Sequence, residues 1–404
     1  MGKNKILISC GGLRIGGLEK LLVEYANFIS ENNSYDVILF LMSDLGVENT
    51  LIDSVNDKIE VKYIKDRYMI KEKEELKKNK KTIFGKLKYI KFLNYEKKQS
   101  HKRYKSYIDN LDNVKVIIDF DLSLFKFRNE ISKFKKIAFI HTSLKKYLKD
   151  ENLDVEYYGK NLAYYDKIVV ISQEMKEEII NLYPNLVDKL ELIYNSLDFD
   201  SVIKKSLDKD DLSFDDKKLL KQDFFLSVAR LDTRHKDFDT LIRAYDILKK
   251  EGRGEKLYIL GTGDSEKEIR DLIRSLSLEE DVLLLGAKKN PYIWMKNAKL
   301  FIHSSKFEGF GLVLIEAGIL GNIVIASDCP VGPKEILDSG QSGLLFETGN
   351  YVELVEKIRK VLNDDELKKN LKENMAVSVN RFRIENNLNK LYTIINNVCE
   401  EEQK

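Results

Sequence analysis

The chain has 404 residues, one third of them charged, with a formal net charge of +2, four prolines and three cysteines. That length accommodates two domains of roughly 150–200 residues, each able to bury its own core, and the composition is that of an ordinary soluble globular protein. Cys10, Cys329 and Cys399 are too scattered for a disulfide framework and imply reduced thiols in a cytoplasm. No signal peptide is expected, because residues 1–5 run directly into a short strand. The longest apolar run, 311–326, is interrupted by Glu316, Gly318, Gly321 and Asn322, so a helix followed by a strand explains it better than a membrane span.

Taken in order, residues 5–9 read as a buried strand, and Leu18, Leu21, Leu22, Tyr25 and Ile29 give the apolar face of a helix. Between them lies Gly11-Gly12-Leu13-Arg14-Ile15-Gly16-Gly17. A strand, a glycine loop and a helix in that order can bind phosphate, since small residues let backbone amides and the helix dipole face an anion. The spacing is not the dinucleotide fingerprint, and glycine-rich loops are common in α/β proteins. Further strand-like runs at 36–41, 59–64, 114–118, 136–140, 167–171 and 189–193 alternate with helical patterns. That alternation argues for an α/β fold with a parallel sheet covered by helices on both faces.

Between 62 and 105, 17 Lys and Arg stand against 5 Asp and Glu, an excess of 12 that leaves −10 for the remainder of a chain carrying +2. Within it Ile83, Phe84, Leu87, Ile90 and Leu93 fall at helical spacing among Lys86, Lys88 and Lys91. This reads as a basic amphipathic helix able to lie on an anionic membrane surface, or else as a solvated helical insertion. Nucleic acid is not expected as a partner, because no base-reading module accompanies the charge.

The pair Asp119-Phe120-Asp121 has the spacing of metal-binding aspartates in some enzymes. The same spelling recurs at 198–200 and 237–239, so it is read as incidental. His101, His141, His235 and His303 lack metal-ligand spacing, and no essential metal or other cofactor is expected. His141 ends the strand-like run 136–140, where ligands of open α/β sheets bind, though a lone histidine there is often structural.

A polar, acidic stretch, 198–222, looks like a linker. Residues 224–229 then start a second sheet and lead into Arg230-Leu231-Asp232-Thr233-Arg234-His235-Lys236, followed by the helix face Phe238, Leu241, Ile242, Tyr245 and Leu248. Arg230 and Lys236 can embrace a diphosphate, one as a bidentate fork and the other as a point charge, or be ordinary exposed charges. Strand 256–260, the turn Gly261-Thr262-Gly263-Asp264 and a helix repeat the pattern. Asn290-Pro291 signals the start of another helix. The strand 300–303 leads to Phe307-Glu308-Gly309-Phe310-Gly311-Leu312-Val313-Leu314-Ile315-Glu316-Ala317-Gly318, a glycine junction opening a helix. Glu316 sits in an otherwise apolar run, where a carboxylate needs a partner such as a lysine or a backbone amide.

The pattern Glu308, seven residues, Glu316, with an internal Phe-Gly, resembles the signature of the retaining glycosyltransferases of family 4, the glycosyl transferases group 1. That family has the GT-B fold, two Rossmann-like doubly wound domains facing across a cleft. The resemblance implies that Glu308 contacts the donor sugar and Glu316 the ribose of the nucleotide. It implies that Gly309, Phe310, Gly311 and Leu312 line the donor site, that Gly263 lies near the base, and that Gly16 and Gly17 lie between donor diphosphate and acceptor. His141 then faces the donor sugar, and Arg230 and Lys236 neutralise the leaving diphosphate. Two departures stand out. The glycine that commonly follows the lysine is Asp237, and the usual Gly-Gly before a later glutamate is replaced by Asp328-Cys329-Pro330-Val331-Gly332-Pro333-Lys334-Glu335. The latter spelling looks like a subset that builds bacterial surface polysaccharides, lipopolysaccharide or capsule, often with hexose or N-acetylhexosamine donors. The resemblance is specific over 224–346 and does not reach 62–105.

The expected organisation is an acceptor-side domain 1–197 with a basic insertion at 62–105, the linker 198–222, a nucleotide-sugar domain 223–380, and a final helix 381–404 crossing back to the first domain. The expected activity is transfer of a hexose or N-acetylhexosamine from a UDP-sugar to a lipid-linked glycan. The protein is then cytoplasmic, held peripherally at the inner face of the plasma membrane. A non-catalytic partner subunit and a UDP-sugar epimerase are the alternatives on the same fold.

Overall fold

The computed structural model describes residues 3–14, 16–31 and 35–400; Ile15 of the first glycine loop lies outside them. The chain divides into two compact units. The first comprises Met1–Ile171, Lys176–Ile193 and Leu388–Lys404, and the second Ser172–Met175 and Tyr194–Asn387.

The first unit is built on seven strands: β1 (Lys5–Cys10), β2 (Asp36–Ser43), β3 (Glu60–Lys65), β4 (Val114–Asp119), β5 (Lys135–Ile140), β6 (Lys167–Val170) and β7 (Leu190–Leu192). They form one parallel sheet in the order β3-β2-β1-β4-β5-β6-β7. Parallel strands flanked by crossover helices are buried on both faces, which is why they read as unbroken apolar runs. Ile6, Leu7 and Ile8 are buried, as are Val116, Ile117 and Ile118 beside them. The strand order reverses between β1 and β4, and at such a switch point the loops leave a crevice at the strands' carboxyl ends.

The second unit repeats the plan with β8 (Phe224–Val228), β9 (Lys256–Leu260), β10 (Val282–Leu284), β11 (Leu300–His303), β12 (Val324–Ser327) and β13 (Leu344–Phe346). Their order is β10-β9-β8-β11-β12-β13, again all parallel. Here the switch point falls between β8 and β11. The loops that follow those two strands are the ones bearing Arg230 to Lys236 and Glu308. Phe225, Ile259, Leu241, Ile325 and Leu354 share one buried core beneath them.

Residues 198–222, expected as a linker, fold instead as the helices Phe199–Leu207 and Phe214–Leu219 of the second unit. Asp198 accepts from Ser201 N at 2.9 Å, and Ser213 with Asp216 closes a capping box. The acidic residues that give the stretch its linker character are therefore partly helix caps. The basic region 62–105 resolves into the end of β3 and two helices, Arg67–Lys78 and Ile83–Asp109. On the longer helix Phe92, Glu96, Ser100, Tyr104 and Ile108 are buried, whereas Ile83 and Phe84 are 84% and 68% exposed, and Leu87 and Ile90 are exposed with them. Among the described residues no helix is long and apolar enough to cross a membrane.

The last helix, Ile384–Glu400, contributes Tyr392 and Asn396 to the first unit. Tyr392 stacks on Tyr35 at 6.4 Å, and Tyr35 Oη donates to Asn396 Oδ1 at 2.8 Å.

At the end of β4, Asp119 is fully buried. It accepts from Tyr165 Oη at 2.5 Å and Leu124 N at 3.0 Å, while its other oxygen has no hydrogen-bond partner among the described residues. Burial, reinforced by the charge of Asp121, pushes its carboxyl up to about 7. The folded chain thus keeps a proton that the unfolded chain loses near pH 4, and this group's contribution to stability falls as pH rises from about 4 to 7. Asp119→Asn should remove that slope. The difference in melting temperature between variant and wild type should then shift in the variant's favour from pH 5 to pH 8, and parallel curves would contradict the assignment.

Candidate functional site

In the second unit the site is assembled where β8 and β11 end. Its centre is Glu308, only 8% exposed. One oxygen, Oε1, takes every hydrogen bond the side chain makes: from the Lys236 ammonium, from His303 Nε2 at 2.6 Å and from Ser305 Oγ at 2.5 Å. A carboxylate can only accept, so Nε2 of His303 carries the hydrogen. Burial holds the His303 imidazole below its ordinary value, so near neutral pH the ring is neutral and donates without adding charge. Burial also opposes ionisation of Glu308, but His303 and then Lys236 outweigh it and hold the carboxyl well below the usual range.

Backbone contacts fix this geometry. Glu308 N donates to Pro330 O at 2.8 Å and Val331 N to Glu308 O at 3.2 Å. Asp237 N donates to Ser304 O and Lys306 N to His235 O, stitching the β8 loop to the β11 loop. Asp237, which replaces the family's common glycine, is the N-cap of the helix Phe238–Lys250 and accepts from Thr240 Oγ1 at 2.8 Å. The departure is thus absorbed by a capping role.

Asp232 organises the remainder of the β8 loop. It is bound by Arg234 through Nε at 2.8 Å and Nη2 at 2.9 Å, by His235 Nδ1 at 3.1 Å, and by Arg230 Nη2 at 3.4 Å. Arg230 and Lys236 therefore differ in state. The Arg230 side chain is 71% exposed and leans on Asp232, while that of Lys236 is 16% exposed and engaged by Glu308.

Gly311, at φ 97°, begins the helix Leu312–Ile319 in a left-handed conformation that a side chain resists. Gly309 precedes it, Phe310 is buried against Phe382, and Leu312 opens the first turn. Glu316 is half-buried, not enclosed, and accepts from Tyr292 Oη at 2.9 Å. The partner is a phenol from the helix Tyr292–Asn297 that Asn290 and Pro291 introduce. Gly263 is pressed against the β8 loop. A Cβ there would stand 2.3 Å from Leu231 O, so it serves close backbone approach whatever else it meets.

In the first unit, Gly17 opens the helix Gly17–Glu31 and the carbonyl of Gly16 accepts from Lys20 N at 3.1 Å. The preceding loop is tied to β4, since Asp121 Oδ2 accepts from Gly11 N at 2.7 Å. The Asp119 and Asp121 carboxylates are thus engaged with backbone amides and Tyr165. His141 follows β5, half-buried with its ring 4.6 Å from that of Phe120. It lines a largely apolar cavity of about 450 Å³ together with Leu18, Asp121, Phe125, Tyr157 and Tyr158. The structure brings together Arg230, Lys236, Glu308 and the 309–316 segment in one unit, and the first glycine loop and His141 near one switch point in the other.

Three residues of the second site carry no role expected from the sequence: His303, Ser305 and Asp232. His303 ends its strand just as His141 follows its own, and that rule applied twice singles it out.

Residues 208–378 match the family model of the glycosyl transferases group 1. The chain superposes, over 97% of its length and 100% of the other, on Anabaena HepE in complex with UDP, with a TM-score of 0.76 at 18% identity. The chain has the GT-B fold. Among curated proteins, it is 36% identical over 217 residues to the Campylobacter jejuni N-acetylgalactosamine-N,N'-diacetylbacillosaminyl-diphospho-undecaprenol 4-alpha-N-acetylgalactosaminyltransferase, covering 54% of this chain and 56% of that one. It is 28% identical over 224 residues to the Salmonella typhimurium lipopolysaccharide 1,6-galactosyltransferase, covering 53% and 57%. The chain thus spans about half the length of these curated relatives.

The packing of Gly263 is testable. Gly263→Ala should displace Leu231 and cost about 1–3 kcal/mol, read as a lower denaturation midpoint. Gly254→Ala, where a Cβ meets nothing within 4 Å, should leave the midpoint in place.

Proposed function

We propose that this GT-B chain is a retaining glycosyltransferase of family 4, moving a hexose or N-acetylhexosamine from a UDP-sugar to a lipid-linked glycan during synthesis of bacterial surface polysaccharide. The observation that carries the reading is the buried Lys236 and Glu308 pair at the β8–β11 switch point, inside the segment that matches the family. The C. jejuni relative supports the acceptor class, since its name records a diphospho-undecaprenol acceptor and an α linkage. An α linkage is what retention gives when the donor sugar is α-linked to its nucleotide.

The chemical difficulty is departure of a nucleoside diphosphate while positive charge develops on the sugar. In this reading the C1–O bond to the β-phosphate breaks and a C1–O bond to the acceptor hydroxyl forms on the same face. The acceptor proton passes to an oxygen of the departing phosphate. Lys236 and Arg230 neutralise that phosphate, aided by backbone amides near Gly16, Gly17 and Phe310. Glu308 holds the donor sugar, Glu316 the ribose, and His141 faces the sugar. Gly309, Gly311 and Leu312 shape the donor loop, and Gly263 lies near the base. No metal is required. The apolar cavity beside His141 suits an acceptor that carries a lipid.

Residues 83–90 attach the protein peripherally to the inner, anionic face of the plasma membrane. Their apolar side chains are exposed among lysines, the arrangement of an interfacial helix.

Two measurements test this. Purified protein is offered each common UDP- and GDP-sugar with EDTA present, with and without lipid extract from bacterial membranes. Release of UDP from one donor, raised by the extract and reduced by about 10²-fold or more in Lys236→Ala, is expected. Nucleotide binding without turnover in any extract would overturn the reading, and loss of turnover with EDTA would overturn the metal-free mechanism. Separately, the protein should sediment with phosphatidylglycerol vesicles but not with phosphatidylcholine vesicles. Phe84→Ser with Leu87→Ser should weaken that binding by about tenfold, and unchanged binding would remove the helix from the membrane surface.

A further inference from the structure

Three donors converge on Glu308 Oε1, and they are unlike one another. Lys236 reaches it on a flexible stem from the β8 loop. His303 reaches it from the end of β11 with 1% of its surface exposed, its ring nearly parallel to Phe301 at 6.5 Å. Ser305 is clamped from the next strand: its N–H donates to Ser327 Oγ at 2.9 Å, and Ser327 Oγ donates to Ser305 O at 2.7 Å. His303 Nε2 and Ser305 Oγ also lie 3.1 Å apart, side by side on the same acceptor oxygen.

An ammonium that neutralises a buried carboxylate is not fully available to a phosphate. If Lys236 turns to a diphosphate, Glu308 loses the one lysine or arginine paired with it among the described residues, in a site where an unpaired charge is costly. From this geometry we propose that His303 and Ser305 are positioning residues that keep Glu308 charged and aimed, so that Lys236 is free to move from the carboxylate to the diphosphate. The inference rests on the transferase reading for the identity of that anion. Neither residue touches the ligand; both act through Glu308. The other titratable group facing Glu308 is Cys329, whose thiol burial and then the Glu308 charge push up to about 12, so it stays neutral through the working range.

The test compares His303→Leu, which removes the donor, with His303→Gln, whose amide can still donate to Oε1, and with Ser305→Ala. Turnover and UDP affinity, the latter by calorimetry, are measured at pH 5.5 and 7.5. His303→Leu should lower kcat/KM for the donor roughly ten- to hundredfold. It should also weaken UDP binding at both pH values, because Glu308, short of a donor, holds Lys236 back from the diphosphate. His303→Gln should restore most of both effects, and Ser305→Ala should weaken UDP binding in the same direction by less. A packing role alone would leave UDP affinity in place and make Gln no better than Leu, and either result overturns the proposal. Wild type that transfers from no donor would defeat the transferase reading instead. The UDP affinities of the Leu and Gln variants would still decide the positioning role, as would Ser305→Ala if His303→Leu does not fold.

Discussion

A carboxylate withdrawn from water must be met by donors, and meeting that demand at Glu308 organises the second unit's site. The last residue of β11 supplies one donor. The β8 loop turns back to bring a second, and its path is fixed by backbone bonds to 304–306 and by the Asp232 hub. The third comes from a serine held by β12. Even the segment around Pro330 takes part, pairing its backbone with that of Glu308. Two loops distant in sequence thereby converge on one oxygen atom, and the stretch 327–331 holds them in place. This is a steep requirement, and among the described residues the hydrogen bonds of that side chain all fall on the one oxygen.

Much of this was legible in the sequence, for reasons that differ by element. Strands buried on both faces, such as 256–260, announce themselves because parallel pairing tolerates no polar interruption. The glycine at 311 is legible because its left-handed backbone excludes most side chains. The network around Glu308 was half visible. The resemblance implies separate roles for Lys236 and Glu308 but not their pairing, and His303 and Ser305 reach Glu308 across a loop and belong to no fixed spacing. The stretch 198–222 misleads because an aspartate that caps a helix and an aspartate in a solvated connector look alike until the buried face of the helix is known. Glu316 misleads in the opposite sense: an apolar run does not say which side of the helix faces Tyr292.

The similarity to known proteins is uneven along the chain. It falls on 208–378, the part that carries the second sheet and the Glu308 network, and the curated relatives are matched over about half their length. The first unit keeps the same architecture with its own side chains, among them an aromatic cavity beside His141 and a long helix with outward apolar residues.

The return of the final helix to the first unit has a consequence for how the protein is made. Tyr35 waits for Tyr392 and Asn396, which are translated more than 350 positions later. At typical synthesis rates of about 5–20 residues per second, the first unit spends roughly twenty seconds or more with that surface uncovered on the ribosome. The order of folding is therefore not simply the order of translation, because the unit begun first is the last to be completed.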